Sequence, residues 1–127
     1  MRKIKNITSE RVHPNLVCVK AGGFIFLTQI GINAKTGKIE EGIEAQAKRI
    51  FEDFKLVLEE NGSSLENICK MTVYMTDLSK KAIFDKVYVQ YFPNKKNRPV
   101  RACIKVGNVD LKLNQEVELE VQVIALA

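Results

Sequence analysis

The chain has 127 residues, enough for one domain spanning 1–127 with a core that needs no disulfide or metal staple. At 46% apolar residues it is too hydrophobic for a disordered chain, and its net charge of +5 permits contact with anions without demanding it. No apolar run approaches the ~18 residues that a membrane span needs, and the opening MRKIKNITSE lacks the apolar stretch of a signal peptide. A cytosolic protein is expected, with a mitochondrial one left open.

In chain order, a short strand is possible around Lys3 to Ile7, and two strands are expected over Leu16 to Val19 and Phe24 to Ile32, on dense β-branched and aromatic content. Lys35-Thr36-Gly37-Lys38 reads as a turn in which Gly37 takes positive φ. Glu41 to Glu60 is the clearest helix: Ile43, Ala47, Ile50, Phe54 and Val57 recur at helical spacing, with Phe51 and Leu58 widening the stripe. Asn61-Gly62 suits its left-handed cap.

A strand follows over Ile68 to Met75, then a helix from an N-cap at Ser79 through Phe92, with Ile83, Val87 and Tyr91 on one stripe and Phe84 and Tyr88 on the next. The last strands are Val100 to Val106 and VELEVQVIA, residues 117 to 125. Two amphipathic helices among these strands point to an α+β fold, a mixed sheet with both helices on one face. The other face would then need company, and a homo-oligomer supplies it.

Little of the chain carries motif-like chemistry. GINAKTGK, residues 31 to 38, spaces its glycines wrongly for a phosphate loop and has Ile39 where Ser or Thr must follow, so a hairpin turn explains it better. His13 is the only histidine, which excludes a catalytic triad or a two-histidine metal site within one chain. Cys18, Cys69 and Cys103 are odd in number, widely spaced and without a CxxC pair, as expected of reduced thiols. A nucleophilic Cys103 would have basic neighbours in Arg101 and Lys105 but no base near it in sequence.

In RPVRACIKV, Val100, Ala102, Ile104 and Val106 share one face, and Arg101, Cys103 and Lys105 the other, where lysine ordinarily covers a wet surface. Arg101 is thus either solvent-facing or a fixed anion clamp. If VELEVQVIA lies beside this strand, Glu118 and Glu120 face the guanidinium, as a plain ion pair or as a polar cleft able to move protons.

P-V-R-A-C-I-K-V resembles the P-A-R-[ST]-x-V-x-V signature of the RidA family, also known as YjgF or L-PSP, and VELEVQVIALA resembles that family's closing V-E-I-E-x-I-A strand. VKAGGFIFLTQIG, NAKTGKI, the stretch from EAQAKRIFEDF to NICKMTVYMTDL, and VYVQYF match further family blocks in order. The resemblance implies a chorismate-mutase-like α+β fold and a homotrimer with clefts between subunits. It also implies hydrolysis of 2-imino acids, or their enamine tautomers, to 2-keto acids and ammonia, without metal or cofactor.

Carried over residue by residue, the resemblance makes Arg101 the substrate-carboxylate clamp, Glu120 the residue that handles the attacking water, and Cys103 a backbone contact, with Thr28, Asn15 and Asp85 completing the cleft. Three of these depart from the family pattern: Asn15 replaces a tyrosine, the S-G-Q motif shortens to Thr28-Gln29, and Asp85 replaces an asparagine. Gln122 also stands in place of the closing strand's second glutamate. A ligand-binding or regulatory trimer is therefore the alternative, and an RNA-cleaving translation inhibitor a second one, with no aromatic-interleaved basic patch to support it.

Overall fold

A computed structural model describes residues 4–7, 9–109 and 116–127. The elements follow as β1 (Lys5–Asn6), β2 (Val17–Ala21), β3 (Phe24–Ile30), α1 (Gly42–Glu60), β4 (Ile68–Met75), α2 (Lys81–Tyr91), β5 (Val100–Lys105) and β6 (Leu119–Leu126). The strands form one mixed sheet in the order β1-β2-β3-β6-β4-β5. Glycine pair Gly22-Gly23 turns β2 back onto β3, whereas the parallel pairing of β4 with β5 needs a crossover, which α2 supplies. β6 inserts antiparallel between β3 and β4, so the last strand of the chain closes the middle of the sheet.

The strongest expectation from periodicity holds in full. Ile43, Ala47, Ile50, Phe51, Phe54, Val57 and Leu58 of α1 are all buried, and α1 ends on Gly62 at φ 78°. Phe51 packs against Phe84, Tyr88, Tyr91 and Phe92, which fixes α2 to α1 above one face of the sheet. Burying each such ring is worth about 1.5–3 kcal/mol over leaving it exposed. Two polar side chains share the apolar stripe of α1, Gln46 and Asp53. Gln46 donates to the carbonyls of Glu40 and Glu116 and accepts from the Glu118 amide, so it stitches α1 to the start of β6.

Element ends differ from the sequence reading by small amounts. β3 stops at Ile30 and β5 at Lys105, while β1 covers only Lys5–Asn6, Lys3 lying outside the described residues. Ser79 does not cap α2: Asp77 accepts from the Ser79 amide and hydroxyl to hold a short 3-10 turn over Leu78–Lys80, and α2 starts after it. Ile83, expected on the inner stripe, is exposed, because Phe84, Val87 and Tyr88 fill the contact with α1 and the sheet.

The sheet face opposite the helices is open. Val17 and Val100 on it are 59% and 70% exposed, and Phe24, Phe26, Ile104 and Leu126 are exposed beside them. Among the described residues, no helix is long and apolar enough to cross a membrane.

Candidate functional site

On α2, Lys81, Phe84, Asp85 and Tyr88 fall at i, i+3, i+4 and i+7 and so form one stripe along the helix. That stripe faces Arg101 of β5. The alternation of β5 was readable in the sequence, but its inner side is the reverse of the expected one: Met71 and Val73, the cross-strand partners of Arg101 and Cys103, are core residues. Arg101 therefore lies on the helix-covered face with its side chain 19% exposed, and the apolar Val100 and Ile104 look outward. A solvent-facing arginine is ruled out.

The guanidinium lies against two aromatic rings. Its Cζ stands 4.3 Å from the Tyr88 ring centroid and 5.8 Å from that of Phe84, a cation over two aromatic faces. Nη1 is 2.9 Å from Asp85 Oδ1, an ion pair between two buried atoms that have each other as their near partner. Asp85 Oδ2 accepts from Lys81 Nζ at 2.8 Å. Burial pushes the Asp85 carboxyl up, but the Lys81 hydrogen bond and the Arg101 charge outweigh it and hold it below its ordinary value. Arg98 also lies over Tyr88, at 5.7 Å, with its Nε committed to the Phe92 carbonyl. Cys103, two residues from Arg101 on the same face, packs partly buried against the core.

The remaining candidates lie elsewhere. β4 separates β6 from β5, so the condition for Glu118 and Glu120 to face Arg101 across neighbouring strands is not met within the protomer. Glu118 pairs instead with Lys80. Glu120 sits on the open face, where it pairs across strands with Tyr74 and accepts from Gln122 Nε2. Thr28, Gln122 and Thr72 form a polar row across β3, β6 and β4 on that face, and Thr28 Oγ1 is buried without a partner. The row lines a depression of about 330 Å³ with Val17, Val19 and Phe26. Asn15 is not part of this row: its Nδ2 donates to Oε1 of Gln29, which is buried on the other side of β3 with core residue Val121 as its cross-strand partner, and its amide donates to His13 Nδ1.

The thiols are unpaired, and burial pushes that of Cys18 up to about 12, which leaves it inert at neutral pH. Among the described residues no cluster of three or more His, Cys, Asp or Glu could hold a metal.

The family model described as Endoribonuclease L-PSP matches residues 10–127. The chain belongs to the RidA family. A RutC family protein of Aquifex aeolicus is 41% identical over 123 residues, covering 95% of this chain and 97% of its own. The putative reactive intermediate deaminase TdcF of Escherichia coli is 32% identical over 117 residues, covering 91% and 88%. The crystal structure of E. coli TdcF with bound serine superposes with a TM-score of 0.83 at 31% identity, over 97% of this chain and 98% of that one. These matches support the mixed sheet with two helices as the RidA fold and place reactive-intermediate deaminases among the chain's relatives.

Tyr88 and Lys81, which orient the arginine and its carboxylate, were not singled out as site residues in the sequence. The i, i+4 spacing of Lys81 and Asp85 was the one signal available for them.

Proposed function

We propose that the chain is a hydrolytic deaminase of 2-imino acids and their enamine tautomers, acting as a homotrimer whose clefts join Arg101 of one subunit to the open sheet face of the next. The observation that carries the reading is the Arg101 guanidinium, fixed over Tyr88 on a half-covered edge strand. Arginine's two parallel donors match a planar carboxylate. Among the described residues, its contacts engage Nη1 and the ring faces, which leaves the Nε–Nη2 edge to a ligand. The open face with its exposed valines and phenylalanines is what such an assembly would cover.

In this reading Arg101 binds the substrate carboxylate and Glu120, from the neighbouring subunit, accepts a proton from water as its oxygen bonds to the imine carbon. The imine nitrogen takes up a proton to give a carbinolamine. Glu120 then returns its proton to the nitrogen, the C–N bond breaks, ammonia leaves, and the hydroxyl proton is lost as the ketone forms. Imine hydrolysis is intrinsically easy, so alignment supplies much of the rate. The serine bound to TdcF, a small molecule with a carboxylate and an α-nitrogen, is consistent with such a ligand.

A second reading, a binding trimer without turnover, is favoured by Asp85, which already occupies one end of the arginine. One assay decides between them. Imino acids generated by an amino-acid oxidase are trapped with semicarbazide, and the trapped fraction is compared with and without the protein. Acceleration by the wild type that falls at least about 100-fold in Arg101→Ala supports the deaminase; no acceleration across several amino acids sinks it.

A further inference from the structure

The Lys81–Asp85–Arg101 cluster carries information about which anions the site accepts. Asp85 touches both cations, Lys81 Nζ at 2.8 Å through Oδ2 and Arg101 Nη1 at 2.9 Å through Oδ1. Its side chain is about one-third exposed and Arg101's about one-fifth, so the pair is only partly screened by water. Arg98 adds charge nearby, but its Nε is spent on the Phe92 carbonyl.

We infer that Asp85 is the charge-selectivity residue of the clamp, favouring ligands with a single carboxylate over dicarboxylates. The inference rests on Arg101 being the carboxylate clamp. A carboxylate on the Nε–Nη2 edge lies only a guanidinium width from the Asp85 carboxylate, so each negative charge the ligand carries is repelled by it. A second carboxylate adds to that penalty, whereas a protonated imine nitrogen relieves it. Asp85 does not touch the ligand in this arrangement. It acts through the field and by holding the guanidinium by one end.

Stable product analogues test this without requiring turnover. Calorimetry with 2-oxobutanoate and 2-oxoglutarate measures the affinity ratio in wild type, Asp85→Asn and Arg101→Ala. Asparagine keeps the shape and removes the charge. The expected result is a wild type that prefers 2-oxobutanoate, and an Asp85→Asn variant in which the ratio moves toward 2-oxoglutarate by about tenfold or more, with circular dichroism unchanged. A shift that collapses when salt is raised from low to high concentration marks its electrostatic origin, which a merely structural role would not produce. An unchanged ratio in Asp85→Asn, while Arg101→Ala abolishes binding of both, overturns the inference and leaves the clamp standing. Binding of both acids that survives Arg101→Ala overturns the clamp itself.

Discussion

Gly31 and Gln46 touch backbone to helix: a Cβ added to Gly31 would stand 2.5 Å from the Cα of Gln46 and 2.8 Å from its carbonyl oxygen. The end of β3 and the first turns of α1 pass here at a distance that only glycine allows, and no flexible side chain is available to move aside. Gln46, wholly buried, then ties the same point to the start of β6. Gly31→Ala should cost about 1–3 kcal/mol, read as a fall in the urea midpoint with an unchanged denaturant slope. A neutral Gly31→Ala would mean that α1 can slide relative to the sheet.

Asp53 gives the stability a pH signature. Burial pushes its carboxyl up to about 6, against the lowering effect of Arg49, and Glu40 and Glu52 nearby add to the rise. The folded state therefore binds this proton more tightly than the unfolded chain does. Its contribution is most favourable below the unfolded value and is lost as pH rises through about 6. Asp77 and Asp85 act in the opposite sense, their carboxyls being held low, so only the difference between two proteins isolates Asp53. Asp53→Asn should become more stable relative to wild type as pH is raised from 4 to 7, in urea melts taken at half-unit steps. A difference that does not vary with pH would show the carboxylate to be solvated.

The open sheet face yields a third expectation. Phe26 is 38% exposed and lines the depression with Thr28 and Gln122. If this face is the subunit interface, Phe26→Glu buries a charge against apolar neighbours, and light scattering should report the mass of one chain while circular dichroism keeps the wild-type helix signal. Under the proposed function, imino-acid hydrolysis should vanish with the assembly. An assembled Phe26→Glu protein would place the interface elsewhere.

How much of this was legible depends on whether the deciding contact is local. The stripe of α1 was readable because helical periodicity reports burial on one face directly, and all seven of its apolar positions are buried. Gln46 on that stripe was not, since its partners lie on the Glu40 segment and near β6, whereas Asp53 had its partner Arg49 one helical turn away on the same helix. For β5, alternation separated two faces without saying which was inner. The apolar face of an edge strand stays outside when α2 covers the polar one, so the inference from lysine to water failed at Arg101. The pairing of Arg101 with Asp85 spans a helix and a strand that neither spacing nor charge pattern links. Family resemblance placed both residues in one cleft but not in contact.

β5 carries its two kinds of side chain on alternating residues. Arg101 and Cys103 look toward α2, Val100 and Ile104 toward the open face. Substitutions at odd positions can therefore change what meets α2 while even positions drift with the surface they meet, and neither change disturbs the other's backbone. An insertion of one residue within the strand would send every side chain beyond it to the opposite face, so within β5 substitution is open to evolution and insertion is closed.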